Sequence, residues 1–574
     1  MKKILLTLAT AATILPAFGA ARIPNYSHID WKGTVSGGLI HGNMICADID
    51  NDGLMELIAK GRDLAAGWAI TIKALHLDAD TKQFTTSVDI TDPDGQSWER
   101  IAYVIDYNND GNVDLLLANS YNSQLLKGDG KGNFEKVEDF KLEGEISIQD
   151  NDQQKWYNGT LDVADFNGDG YQDIVTFCGN PRDDQGTPVV FFNDGGKGTF
   201  IKDENTGIEA QRGGTLCVGD YNADGAVDIL VNGWAGDNDH TYIWKNNGSG
   251  KFTKVDVGEK AGAEKGQSFF VDVTGNGLLD VFVTGESYPN NWEKAAYLYK
   301  NNGDDTFTKM ETGLPGCSVG GGDWCDLNSD GLVDLVYVGE GLSSAVFALN
   351  EGEGQFTAYT DKLSRHRGGA VALAYDLNNN DVVDIALMGY NDDDANNKSF
   401  MFYNGYGTRL NNKTPNAPTG LTATADGNKT VLTWEAGSDE KHTQGSGFTP
   451  ADALRYNYFV KTTDGQIITA VPADTETGKL RSANVNAASA ARKVTLNIAS
   501  DKIASWGVQS IDGAKAASAF AVVDGTSGIE NVLTEADANA PVEYFNIQGV
   551  RVANPQNGLY IRRQGNKVDK IYLK

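Results

Sequence analysis

One nine-residue pattern recurs seven times and constrains everything else the chain can be. Oxygen-bearing side chains stand at its positions 1, 3, 5 and 9, with Gly at position 6 in every copy but the last. The copies are DIDNDGLME (48–56), DYNNDGNVD (106–114), DFNGDGYQD (165–173), DYNADGAVD (220–228), DVTGNGLLD (272–280), DLNSDGLVD (326–334) and DLNNNDVVD (376–384). Their first residues lie 50 to 59 positions apart.

The spacing has a chemical reason. Side chains at 1, 3 and 5 of a tight loop converge on one point, a carbonyl near position 7 can join them, and an acid at 9 can close the shell. Gly at 6 permits the sharp turn. Hard oxygen donors with several carboxylates suit Ca2+ better than the stricter octahedron of Mg2+. Five loops carry the full donor set: Asp48, Asp50, Asp52 and Glu56; Asp106, Asn108, Asp110 and Asp114; Asp165, Asn167, Asp169 and Asp173; Asp220, Asn222, Asp224 and Asp228; Asp326, Asn328, Asp330 and Asp334. Two are weaker: Asp272, Thr274, Asn276 and Asp280, and then Asp376, Asn378, Asn380 and Asp384, where Asp381 replaces the glycine. For these two an Asx-rich turn without metal competes on equal terms. The expected cofactor is structural Ca2+, about five to seven ions.

The flanks exclude an EF-hand, because the acid closes at 9 and short apolar runs such as LDVAD and DIVTFCG read as strands. After each loop come a second strand, a variable segment, a third strand, a Gly/Asn turn such as NNGSG (246–250), and a fourth strand. Four short strands per repeat make a propeller blade, and seven blades make a ring. The last blade lacks its fourth strand, and residues 26–34 (YSHIDWKGT) have no blade of their own, so they are expected to supply it and remove the open edge.

Residues 25–408 resemble the FG-GAP/VCBS repeats of integrin-alpha-type β-propellers, a resemblance carried by the phased DxDxDGxxD loops. It implies calcium in the loops and a role in adhesion or recognition. A polar linker at 409–416 leads into period-two strands (TVLTW, RYNYFV, WGVQSID) that resemble a fibronectin type III domain over 417–523, with Trp434, Tyr456 and Tyr458 as expected core. Its expected role is spacing or docking. Residues 541–574, ending NGLYIRRQGNKVDKIYLK, resemble the C-terminal sorting segment of Bacteroidetes type IX secretion cargo, a small β-module completing the sandwich being the other reading. The fold class is thus all-β: a seven-bladed β-propeller, a fibronectin type III-like β-sandwich and a short C-terminal β-module.

Residues 1–20 read as a secretory signal peptide, with Lys2 and Lys3 before a short apolar run. No stretch is long enough to span a membrane. The expected place is secreted or cell-surface, and the expected form a monomer. A formal charge of −30 argues against nucleic acid as partner. The five cysteines (Cys46, Cys178, Cys217, Cys317 and Cys325) read as buried thiols rather than a disulfide framework, with a single bridge left open.

No HExxH or P-loop occurs, and GCSVG (316–320) matches GxSxG in letters only, with no helix pattern after it to make a nucleophile elbow. The loops on the face opposite the DxDxDG turns carry Trp68, Trp98, Arg100, Trp156, Tyr157, Arg182, Arg212, Trp234, Tyr288, Trp292, Arg365 and Arg367. Of these, Trp68, Trp98, Trp156, Tyr157, Arg212, Trp234, Trp292 and Arg367 are the candidate ligand-binding set, suited to stacking on sugar rings or anchoring a protein; packing between blades is the plain alternative for each Trp. Two functions follow: a non-catalytic module binding an extracellular glycan or protein, and, as the alternative, a calcium-dependent polysaccharide lyase or hydrolase using the same face.

Overall fold

In a computed structural model of the chain, the described residues are 25–29, 39–63, 69–78, 83–90, 101–118, 123–142, 161–178, 187–203, 205–209, 211–235, 238–258, 261–288, 291–390, 400–406, 412–440, 448–524, 529–531, 541–546, 551–552, 555–556, 558–564 and 567–573. The predicted signal peptide lies outside them. The described residues are almost entirely β, arranged in ten small sheets. None of their helices is long and apolar enough to cross a membrane.

Seven sheets share one plan, with a copy of the nine-residue pattern joining the first strand to the second. Hydrophobic pattern follows position in the sheet. The second strand Asp114–Ala118 (DLLLA) is buried throughout, as expected of a strand covered on both faces. The outermost strand Phe252–Asp256 (FTKVD) is mostly solvent-facing. Side chains between adjacent sheets form separate cores, one containing Phe166, Val175, Leu216, Val231 and Trp244. Cys46, Cys217, Cys317 and Cys325 are buried free thiols in these layers.

First strands touch one another along most of the series. Leu39–Ala47 contacts both Ile101–Ile105 and Arg367–Tyr375, so the first and last sheets of the series are neighbours. The last sheet is completed by the N-terminal strand Asn25–Ile29, antiparallel to Phe400–Tyr406 with Tyr26 opposite Gly405. That is the expected closure; residues 30–34 of the expected stretch lie outside the described residues. One sheet departs from four strands: Lys141–Leu142 adds a fifth, parallel to Thr199–Lys202. The tail of the preceding repeat reaches it because the Lys141 N–H donates to the Gly198 carbonyl (3.2 Å).

Two further four-stranded sheets follow. One orders Lys493–Leu496, Lys429–Glu435, Thr419–Asp426 and Ile529–Asn531, the other Ile467–Thr469, Arg455–Thr462, Ile503–Ile511 and Ala521–Asp524. Trp434, Tyr456 and Trp506 are buried between them, with Tyr458 packed at the margin. A three-stranded antiparallel sheet, Val542–Phe545, Gly558–Gln564 and Lys567–Leu573, ends the chain.

The sandwich is not a spacer on a string. It sits on the face that carries the nine-residue loops. The Ile467 N–H donates to the Asn109 carbonyl (2.9 Å), the Asn497 N–H to Gly168 (2.5 Å) and the Asp326 N–H to Gly513 (2.8 Å). Lys479 Nζ donates to the Gly53 carbonyl (3.1 Å), and the Arg481 guanidinium to that of Gly111. A segment of the sandwich, 482–489, enters the axis of the ring. There the Ala483 N–H meets the Cys46 carbonyl (3.1 Å), and Asn484 and Asn486 donate to the two oxygens of Asp162 (3.1 and 3.2 Å). Lys515 reaches in beside it, its Nζ 2.8 and 2.7 Å from the Asp323 oxygens and 3.2 Å from the Ala374 carbonyl. Burial alone would lower the pKa of this ammonium, but Asp323 holds it above its ordinary value. Above the plug an axial cavity of about 210 Å³ remains, lined by all seven first strands or their flanks.

Candidate functional sites

The loops share one hydrogen-bond scheme. The position-1 carboxylate accepts from the position-6 N–H in every copy: Gly53 to Asp48 (3.0 Å), Gly111 to Asp106 (3.0 Å), Gly170 to Asp165 (2.7 Å), Gly225 to Asp220 (2.8 Å), Gly277 to Asp272 (2.7 Å), Gly331 to Asp326 (2.8 Å) and Asp381 to Asp376 (2.8 Å). Positions 3 and 5 make successive Asx turns. The Asp169 N–H donates to Asn167 Oδ1 (2.8 Å), and the Tyr171 N–H to Asp169 Oδ1 (2.9 Å). The same pair of bonds is made through Asn108 and Asp110, through Asp50 and Asp52, through Asn222 and Asp224, and through Asn328 and Asp330. In the weaker loops Asn276 and Asn380 each accept at position 5.

Position 9 has a second duty that the spacing did not disclose. One oxygen of Asp228 accepts from the Tyr221 N–H (3.2 Å), the other from the Asn246 N–H (2.7 Å). Asp114, Asp173, Asp280 and Asp334 do the same with the corresponding backbone groups. Glu56 and Asp384 accept from the Ile49 and Leu377 N–H groups. The closing acid therefore ties loop to sheet, and a lone pair on each oxygen remains for a cation.

Negative charge gathers at the loop centres, with Lys127 paired to Asp110 (3.0 Å) at the rim of the second. Burial, then the nearby Asp110 carboxylate, pushes Asp106 up to about 7; burial and Asp106 push Asp114 up to about 8. Carboxylate oxygens of Asp48, Asp50 and Glu56 lie within 4.8 Å of one another. Asp48 Oδ1, Thr274 Oγ1 and Asn378 Oδ1 are buried with no partner among the described residues. A divalent cation would answer each of these features, so the donor set fits calcium, with positions 1, 3 and 5 as its holders and 9 closing the shell.

The opposite face is reached by following the second strands away from their loops. Asp228–Ala235 carries Trp234 one residue before its end, and Asp280–Ser287 runs directly into Tyr288. Trp234 meets Tyr288 edge-on at 4.9 Å between ring centres, and Tyr288 meets Trp292 edge-on at 5.1 Å. Tyr288 is 44% and Trp292 46% exposed. Asn291 and Trp292 both have left-handed backbone (φ 56° and 64°), unusual for so bulky a ring. Lys265 Nζ stands 5.7 Å over the Trp292 ring and 2.8 Å from Glu286. Of the other expected ligand residues, Arg212 and Arg367 begin first strands, Arg212 opposite Trp234, and their side chains lie outside what the structure describes. Arg365 is half-buried. Trp68, Trp98, Arg100, Trp156, Tyr157 and Arg182 lie outside the described residues.

An asparagine was missed. Asn193, Asn246, Asn301 and Asn350 each end a third strand, and each Nδ2 donates both to its own loop's position-8 carbonyl and to the position-2 carbonyl of the preceding repeat. The signal was present, as an Asn at one fixed place in four repeats, but it reads as ordinary turn chemistry.

Comparison with known proteins gives a family at the level of the repeat. FG-GAP-like repeats match residues 106–176, 165–231 and 326–387. No curated protein matches the chain. Among solved structures, the chain is similar to an Agrocybe aegerita lectin that recognises non-reducing terminal N-acetylglucosamine (20% identity over 57% of this chain and 82% of that one, TM-score 0.37). It is also similar to the V. cholerae biofilm matrix protein Bap1 (12% identity, 96% and 84% covered, TM-score 0.33) and to a PL25 ulvan lyase (10%, 66% and 96%, TM-score 0.35). At such scores these likenesses carry no weight for activity. The matched repeats support a propeller-type repeat protein.

Proposed function

We propose that the chain is an exported, calcium-stabilised, seven-bladed β-propeller that recognises glycans, without catalysis, on the face opposite its metal loops. In this reading a fibronectin type III-like sandwich caps the loop face, and the C-terminal sheet is a sorting segment. The observation that carries the recognition role is the cluster Trp234, Tyr288 and Trp292, two of whose residues are nearly half exposed. Exposed aromatic rings cost hydration free energy unless a partner covers them, and sugar rings offer flat C–H faces that fit them. The capped loop face favours the same choice, since that side of the ring is taken up by the chain itself.

Calcium is supported by the donor set and by unpartnered Asp48, Thr274 and Asn378 oxygens. The strand order of the sandwich, with Lys493–Leu496, Lys429–Glu435 and Thr419–Asp426 on one side, supports the fibronectin type III-like reading. The test is a glycan array probed with the calcium-loaded full-length protein, alongside release of reducing ends from any glycan retained. Retention without cleavage is the expected result. Cleavage would replace the reading with the enzymatic one, and no retention of any glycan would end it.

A further inference from the structure

Beneath the exposed rings lie polar atoms that the fold leaves without partners. Asp239 is fully buried and stands opposite Trp234 in the hairpin register. One of its carboxylate oxygens accepts from the Tyr288 N–H (2.6 Å), and the other is buried with no partner among the described residues. Ser287 Oγ, adjacent to Tyr288, is in the same state. So is Gln211 Oε1, whose amide nitrogen is committed to the Gly233 and His240 carbonyls (3.1 and 2.7 Å). Buried acceptors left unmatched are costly and rare in folded proteins, and each calls for an explanation.

Two of these groups, the carboxylate oxygen and the amide oxygen, only accept hydrogen bonds, so what completes them must donate, while the Ser287 hydroxyl can do either. The strained Trp292 backbone points the same way, since left-handed geometry at a bulky residue is held by its surroundings and clusters at binding sites. Two bonds hold it: the Trp292 N–H donates to the Ser287 carbonyl (2.9 Å), and the Asn291 N–H to that of Tyr288 (3.1 Å).

Resting on the glycan-binding reading above, we infer that Trp234, Tyr288, Trp292 and the Asp239 carboxylate form one subsite between the fourth and fifth repeats, and that it takes an uncharged pyranose unit. A sugar ring stacks on the exposed indole and phenol while its hydroxyls donate to Asp239 and Ser287. A uronate or sulfated unit would bring negative charge beside Asp239 and Glu286. Among the described side chains the nearby cation, Lys265, is already paired with Glu286. The subsite therefore discriminates against acidic polysaccharides as well as binding neutral ones.

The test uses the full-length calcium-loaded protein and four hexasaccharides: cellohexaose, mannohexaose, xylohexaose and hexagalacturonate. Binding is followed by tryptophan fluorescence, which Trp234 and Trp292 report directly, and by calorimetry. At least one neutral hexasaccharide is expected to bind, at least tenfold more tightly than hexagalacturonate. Trp292→Ala removes an exposed ring and leaves the core intact; it should weaken binding at least tenfold. Asp239→Asn should weaken binding by a similar factor with no loss of melting temperature. Unchanged affinity in both variants would overturn the subsite while leaving glycan recognition by the face in place. Equal or tighter binding of hexagalacturonate would overturn the assignment of an uncharged sugar. Failure of the wild-type protein to hold any of these probes or any arrayed glycan would overturn both readings together.

Discussion

Asn246 shows how one side chain can hold two repeats. Its Nδ2 spans the Phe166 and Val227 carbonyls (2.9 and 3.0 Å), while its Oδ1 accepts from the Gly248 and Gly250 N–H groups (3.0 and 3.2 Å). Asn246→Leu strands those buried groups, so the expected loss is about 1–3 kcal/mol of stability. Chemical denaturation checks this, and glycan retention should not change. The loop carboxylates make a second residue-scale prediction. Asp106 and Asp114 are pushed up to about 7 and 8 by burial, with Asp110 adding to it at the first and Asp106 at the second. The folded, metal-free state thus holds protons that the unfolded state has already released above about pH 4. Stability without metal should fall as pH rises from 5 to 8, and millimolar Ca2+ should remove most of that fall. Melting curves at four pH values with EDTA or calcium decide it; a flat EDTA series would deny that these acids are uncompensated. The carboxylates were legible in the sequence from their spacing. The reach of Asn246 was not, because a turn asparagine looks the same whether it serves its own hairpin or its neighbour.

At the scale of the element, the loop glycines answer to two demands at once. Gly331 has φ +91°, and a Cβ there would lie 2.0 Å from the Phe448 carbonyl oxygen in the sandwich. Gly225 faces the Lys493 carbonyl in the same way, at 2.5 Å. The sequence explains the first demand through the turn and is silent on the second. Gly331→Ala should therefore cost more than the roughly 1–2 kcal/mol of left-handed strain, because the cap must also move. Limited proteolysis within 448–455 should become faster in that variant, while Asp169→Ala, which alters a donor and not a backbone approach, should lose one calcium by mass spectrometry. The strand pattern itself was readable: after its closing Asp, DLLLA is apolar at every step because sheets cover both faces, and FTKVD is mixed because only one is covered. The ring-closing strand at 25–29 was readable as well, from a last repeat one strand short and a leading segment with none to join. The fifth strand at Lys141–Leu142 was not, since two residues carry no periodicity.

For the whole molecule, the sandwich decides how the ring behaves. Its residues give no warning in the sequence: Asn484, Asn486 and Lys515 are ordinary surface types, hundreds of positions from the Asp162 and Asp323 they meet. Sequence pattern locates strands, whereas docking depends on surfaces that exist only once the strands are assembled. The consequence is mutual dependence. Lys515 is the buried counter-charge of Asp323, and Lys515→Met leaves that carboxylate stranded beside the axis, a change that costs about 3–5 kcal/mol for a buried pair. The double variant Lys515→Met with Asp323→Asn should recover much of the loss, because it removes the stranded charge along with its partner. The cap also touches the loops' own donors, for the Ser489 hydroxyl donates directly to Asp220 Oδ2 (2.5 Å) in the fourth of them. Calcium release to excess chelator should thus be limited by lifting of the cap, and Lys515→Met should accelerate it at least tenfold in a stopped-flow measurement with a fluorescent chelator. The double variant should fall between the two. If release from the wild type and from Lys515→Met proceeds at the same rate, the metals leave by a path the sandwich does not guard, and cap and ring are coupled in stability alone.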